Sequence, residues 1–91
     1  MINLDAKPVK NEDLAWRMID DEAILVDIDG EEVAHLNEVA AQIWDVLDGE
    51  KSVADIIEHI RSKFEVGRDK ARKDVLAFLN KLIKREMVSM K

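Results

Sequence analysis

The chain has no cysteine, one proline, three glycines, four aromatic residues in Trp and Phe, and no apolar run approaching the length of a membrane span. Without cysteine it has no disulfide framework, no thiolate metal ligand and no thiol nucleophile. A spanning helix needs ~20 successive apolar residues, and the start, MINLDAKPVKNED, lacks the basic flank and apolar core of a signal peptide, so a cytoplasmic protein is expected. With so few aromatics, a core must be filled by Ile, Leu, Val and Ala, and the hydrophobic fraction of 47% is enough to build one. At 91 residues there is room for one domain and none for a second, catalytic one.

Negative charge is in excess, and it is unevenly placed. Residues 1–66 carry 6 Lys/Arg against 17 Asp/Glu, a balance of −11, whereas residues 67–91 carry 8 against 3, a balance of +5. Such an acidic body repels nucleic-acid phosphate over a Debye length of ~8 to 10 Å, although the basic final segment offers a local anion-friendly face.

Residues 1–13 contain Pro8, few apolar side chains and no sustained period, and are expected to form a flexible N-terminal arm ahead of a domain over residues 14–91. Three short apolar runs follow, LAWRMI, AILVDI and EVAHL, separated by Asp20-Asp21 and Asp29-Gly30. They predict three antiparallel strands. Asp29-Gly30 is the stronger turn signal, because a tight hairpin needs positive φ that Asp followed by Gly tolerates. On the first strand Leu14, Trp16 and Met18 share a face, and on the second Ile24, Val26 and Ile28 do.

The stretch HLNEVAAQIWDVLDGEKSVADIIEHIRSKF, residues 35–64, then reads as two capped amphipathic helices in succession. Asn37 is placed to cap a helix over about 38–47, with Val39, Ala40, Ile43, Val46 and Leu47 as its buried stripe, Trp44 on the shoulder and Gly49 as the left-handed stop. Ser52 opens the next helix, and Asp55 three residues later makes a capping-box pattern ahead of Ile56, Ile57, Ile60 and Phe64. After Gly67 a third helix is predicted over about 69–85, with Ala71, Val75, Phe78, Leu79 and Leu82 at core spacing and Leu76 and Ile83 further round. Residues 87–90 return as a short strand or pack under the helices. The fold class is α+β: a three-stranded antiparallel sheet followed by a three-helix bundle, winged-helix-like but with the sheet first.

Catalysis has little to stand on. His35 and His59 have no Ser, Cys or carboxylate at a spacing that marks a triad or a metal site. The run from Asp27 to Glu32 has Gly in fourth position, whereas an EF-hand loop needs it sixth, so a hairpin explains it better. No Gly-rich phosphate cradle and no cofactor site are legible. Binding remains, and two surfaces offer it. One is the third strand, residues 32–36, whose open edge would accept an extended peptide while the third helix supplies a wall through Arg72, Lys73, Leu76, Asn80 and Ile83. The other is the basic third helix acting on DNA, as in a winged-helix regulator, although its cations scatter round the helix.

The order of Leu36-Asn37, the small-residue helix running to Ile43-Trp44, Leu47-Asp48-Gly49, the stretch Val53 to Ile57, and Val75 to Leu82 resembles the PqqD family. These are small peptide-binding proteins named for pyrroloquinoline quinone biosynthesis and related to the recognition domains of peptide-modifying enzymes. The resemblance covers about residues 14–90. It implies three strands packed on three helices and no enzymatic activity. It further implies a chaperone role: the leader of a ribosomally made precursor peptide adds as a strand beside the third strand and against the third helix, and is presented to a radical S-adenosylmethionine enzyme. Carried onto this sequence, the backbone partners are Val33, Ala34 and His35, and the side-chain contacts Arg72, Leu76, Asn80 and Ile83. One departure concerns the C-terminal turn, where such domains often have Gly before a final apolar pair and this chain has Glu86 before Met87-Val88.

Overall fold

The computed structural model describes residues 2–26 and 33–91. Eight elements follow in order: β1 (Pro8–Lys10), β2 (Ala15–Ile19), β3 (Glu22–Val26), β4 (Val33–Leu36), α1 (Glu38–Asp45), α2 (Val53–Phe64), α3 (Arg68–Lys84) and β5 (Val88–Met90). The expected α+β arrangement is present, with β2, β3 and β4 forming an antiparallel sheet in that order. Asp20, at φ 56, makes the tight turn between Ile19 and Glu22, which pair across it. The Asp29-Gly30 turn and Ile28 lie outside the described residues.

The register decides which face is buried. Trp16 is opposite Leu25, Met18 opposite Ala23, Leu25 opposite Ala34 and Ala23 opposite Leu36, so these six share one face, against the helices. On β3 the core residues are Ala23 and Leu25, while Ile24 and Val26 lie on the outer face and are half-buried. Ile43 and Trp44 of α1, Val53, Ile56, Ile57 and Ile60 of α2, and Ala71, Val75, Leu79 and Leu82 of α3 complete the core. Trp44 is 0% exposed and thus central to that core, not on its shoulder as expected. Its ring meets Trp16 edge-on at 6.0 Å, a favoured aromatic geometry.

The N-terminal segment, expected as an arm without structure, is stitched into the domain on two sides. β1 pairs antiparallel with β5 and bridges from Val9 to Asp48 on its other side. Gly49 N–H donates to the Pro8 carbonyl at 3.0 Å, and Gly49, at φ 78, is close enough to Val9 that a Cβ would lie 3.3 Å from the Val9 Cβ. The amides of Val53 and Ala54, which as the first of a helix have no intrahelical acceptor, donate to the carbonyls of Ala6 and Leu4 at 2.9 and 3.0 Å. The Ser52 hydroxyl accepts from Asp55 N–H at 3.1 Å, and the Asp55 carboxylate accepts from Ser52 N–H, completing the capping box.

α1 ends earlier than expected. It stops at Asp45 with Val46 as its C-cap, and no basic residue of its own occupies the last turn. Lys10 supplies one from β1: its ammonium donates to the carbonyls of Asp45 and Leu47 at 3.2 and 3.3 Å and sits 5.3 and 5.7 Å from the ring centres of Trp16 and Trp44. Burial pushes the Lys10 pKa down, with Asp45 and Asp48 opposing that shift. Next to it, the Asp48 carboxylate accepts from the amides of Glu50 and Lys51 and pairs with the Lys51 ammonium, which together hold it well below the usual carboxylate range.

The C-terminal turn forms in spite of the missing glycine. Glu86 adopts φ 60, its N–H donates to the Ile83 carbonyl at 3.0 Å, and Met87 N–H reaches the Leu82 carbonyl at 2.9 Å, the paired bonds of a Schellman motif. Glu86→Gly is therefore expected to raise stability by about 0.5–1 kcal/mol, since glycine takes that conformation without the Cβ penalty. Lys10→Ala is expected to cost about 1–2 kcal/mol, from two carbonyls losing a charged donor and two rings losing a cation. Urea unfolding of both variants against the parent protein measures these differences.

Candidate functional site

β4 pairs on one side only among the described residues, with β3, and its other edge faces α3 across a groove. The reason is local. Asn37 ends the strand and caps α1, its Oδ1 accepting from Ala40 N–H at 3.0 Å, so the chain turns away before it can bring another strand alongside. α3 then packs through Ala71, Val75, Leu79 and Leu82, which holds its neighbouring stripe opposite the open edge.

The groove consists of two adjoining depressions that share four lining residues. The part beside β4 has a volume of about 260 Å³, with Ala34, Leu36, Leu82 and Met87 on its apolar side and His35 and Arg85 among its polar residues. The second, of about 440 Å³, continues between α1 and α3 past Val39, Ile43 and Ala77, with Lys70 and Asp74 at its side. Asn37, Ala40, Phe78 and Lys81 line both. Asp74, Phe78 and Lys81 of α3 and its C-cap Arg85 recur at the i, i+4, i+7, i+11 spacing of a single helical face.

Charge in the groove is mixed but mainly positive. Lys70 pairs with Asp74 at 3.0 Å, and His35 approaches Glu22 at 2.9 Å on the sheet. Lys81 and Arg85 add two cations on the α3 side.

Of the residues singled out from the sequence, Val33, Ala34 and His35 lie on the open strand, with Val33 65% exposed and Ala34 and His35 lining the groove. The four α3 residues are elsewhere. At ~100° per residue, Arg72, Leu76 and Ile83 centre about half a turn from the groove stripe, and Asn80 lies at the margin between. Arg72 lines a different cavity with Leu4, Ala54 and Ile57. Leu76 is half-buried against the core, Asn80 is exposed, and Ile83 is beside Val9 and Val88. The physical reason is that α3 has apolar residues on both flanks of its buried stripe. Leu76 and Ile83 form one flank and face the N-terminal side of the domain; Phe78, assigned to the core by spacing, forms the other and lines the groove. Val39 and Ala40, also expected in the core, are half-buried groove residues as well.

No group of His, Cys, Asp and Glu suited to a metal ion occurs among the described residues, and His59 is hydrogen-bonded to Gln42 at 2.9 Å. The run from Asp27 to Glu32 lies outside those residues. No described helix is long and apolar enough to cross a membrane. The cations of α3 do not form one face: Arg68 pairs with Glu58 at 3.2 Å, Lys70 with Asp74, and Arg72 and Lys81 lie on different sides.

The family model described as coenzyme PQQ synthesis protein D (PqqD) matches residues 22–88, which takes in the open strand, the three helices and the groove between them. The chain belongs to the PqqD family. Two solved structures are similar to this PqqD-family chain. TbiB1 in complex with the TbiA(beta) leader peptide has a TM-score of 0.79 at 25% identity, covering 89% of this chain and 94% of that one. Lasso peptide synthetase B1 complexed with the leader peptide has a TM-score of 0.78 at 27% identity, covering 92% and 99%. No curated protein matches the chain.

The division of α3 into two flanks has a direct consequence for mutagenesis. Leu76→Asp puts a charge where a half-buried side chain packs on the core, and is expected to lower stability by about 1–3 kcal/mol. Asn80→Asp, at an exposed position, is expected to stay within about 0.5 kcal/mol. Thermal melts of the two variants separate these outcomes.

Proposed function

We propose that this protein is a non-catalytic chaperone for the leader segment of a ribosomally made precursor peptide. The leader adds as a strand to the open edge of β4, pairing with the backbone of Val33, Ala34 and His35, while its side chains enter the groove toward α3. The observation that carries this reading is the β4 edge, unpaired among the described residues, directly beside a preformed groove. An extended segment docking there gains main-chain hydrogen bonds from the strand and apolar burial from the wall. The two similar structures hold leader peptides, which supports the same class of ligand for this chain.

The α3 wall of this site is the stripe of Phe78, Lys81 and Arg85, extended by Ala40 of α1, in place of Arg72, Leu76, Asn80 and Ile83. Among the described residues there is no catalytic constellation to assign. Its role is to hold the peptide in an extended form and to raise the local peptide concentration at a maturation enzyme, for which a radical S-adenosylmethionine enzyme is the partner that the family resemblance implies. The protein works in the cytoplasm, where precursor peptides are made.

An amide NMR titration of the labelled protein with the short precursor peptide encoded beside its gene tests the site. Shifts are expected at residues 33–37 and along Phe78, Lys81 and Arg85, with little change at Arg72 and Ile83. Shifts confined to Arg72, Leu76 and Ile83 would move the site to the opposite flank of α3, and no shifts at all would remove peptide binding from the protein's functions.

A further inference from the structure

The groove is longer than the strand beside it. β4 offers its edge only as far as Leu36, because Asn37 is committed to capping α1, yet a second depression of about 440 Å³ adjoins the first between α1 and α3. A chain that enters this continuation loses its main-chain partner at Asn37 and must be held by side chains alone. Four residues line both parts and so meet it at the junction: Asn37, Ala40, Phe78 and Lys81. Asn37 has its carbonyl oxygen occupied by the cap. Ala40 is small and leaves space, and Phe78, half-buried, presents an apolar surface.

Lys81 is the remaining member, and it differs from the other lysine of the groove. The Lys70 ammonium is neutralised by Asp74 at 3.0 Å, whereas Lys81 is exposed and has no side-chain partner among the described residues. It projects from α3 one turn beyond Phe78, about 4.5 Å along the axis. In an extended peptide, side chains on the same side are two residues apart and separated by ~6.7 Å, a distance that the flexible lysine stem can accommodate. The rest of the domain reinforces the choice of charge, because residues 1–66 carry a balance of −11. An acidic peptide is repelled by most of this surface and attracted on the α3 side, which orients its approach.

Building on the strand-addition reading above, we infer that Lys81 is a specificity residue: it selects peptides that carry an Asp or Glu two residues from an apolar side chain seated on Phe78, at the point where the peptide leaves the β4 edge. The ligand class is therefore narrower than an extended apolar peptide. It is a segment whose strand-forming part runs into an apolar-x-acidic pattern.

Selection of phage-displayed random dodecapeptides on the parent protein and on Lys81→Glu tests this. The parent is expected to enrich Asp or Glu two positions from Leu, Ile, Met or Phe; Lys81→Glu is expected to lose that enrichment and to favour Lys or Arg there. The best parent-selected peptide should bind Lys81→Glu at least about tenfold more weakly at low salt, and the same peptide with its acidic residue changed to Lys should bind Lys81→Glu better than the parent. Lys81→Gln, which removes charge without reversing it, should fall between, and unchanged melting temperatures would show that both variants keep the fold. Equal acidic enrichment on the parent and on Lys81→Glu, or unaltered affinity, would overturn the role of Lys81. Charge-blind peptides that still shift the β4 amides would sink this inference and spare strand addition. Peptides that obey the charge rule without perturbing β4 would sink strand addition and with it the junction argument, and enrichment of no peptide by either protein would overturn both.

Discussion

The Lys10 ammonium lies at the C-terminal end of α1, and much of the domain depends on its being there. A helix end leaves carbonyls without partners, and α1 has no basic residue in its own last turn. Lys10 reaches them from a strand that is 35 residues away in sequence, its ammonium lying beside the touching rings of Trp16 of the sheet and Trp44 of the core. One side chain thus joins β1, the end of α1 and the buried aromatic pair. The position of β1 in turn sets where Pro8 meets Gly49 and where Leu4 and Ala6 meet the first amides of α2. The start of α2 is therefore satisfied from both sides, by its own capping box and by the N-terminal segment. The half-buried cation has a cost, seen in its lowered pKa, and the two carbonyls and two rings offset it.

The open groove follows from how the chain leaves β4. A strand that ended in a loop could have been followed by another strand, and the edge would then have been covered. Here Asn37 converts the end of the strand into the start of a helix with no intervening residue, so the chain continues as α1 packed on β3 and β4 and not as a further strand. α3 returns near the edge but is held off it by its own packing, which is directed at the core through Val75, Leu79 and Leu82. The gap between them is a by-product of two well-satisfied elements, and it needs no strained backbone to stay open.

Local signals in the sequence carried most of the fold. Asn37 as a cap, Ser52 with Asp55 as a capping box, and the buried series Ala71, Val75, Leu79 and Leu82 all depend on residues within a few positions of one another, and each has the role that its spacing predicts. β1 was not legible because three residues with one proline have no period; its partners, Asp48 and Val88 to Met90, are far along the chain. The open strand was legible as an edge from the order of three short runs. The wall opposite it was not. Periodicity tells which residues of α3 share a face, but each flank of its buried stripe carries apolar residues, and only the direction of packing assigns Phe78 to the groove and Leu76 to the core margin. Glu86 shows the limit from another side: glycine is preferred at a left-handed cap, yet two backbone bonds suffice to hold a glutamate there.

The pairing of β1 with β5 lays the N-terminal segment along the C-terminal one, with Lys7 and Lys91 exchanging backbone hydrogen bonds at 3.4 and 2.9 Å. The stretch from Lys7 to Lys91 is consequently almost closed as a ring, while Leu4 and Ala6 run on to the first turn of α2. Lys91 is therefore held by backbone bonds instead of being left to fray. A short covalent join from Lys91 to Lys7 would close the backbone while adding little constraint that the β1–β5 pairing does not already impose.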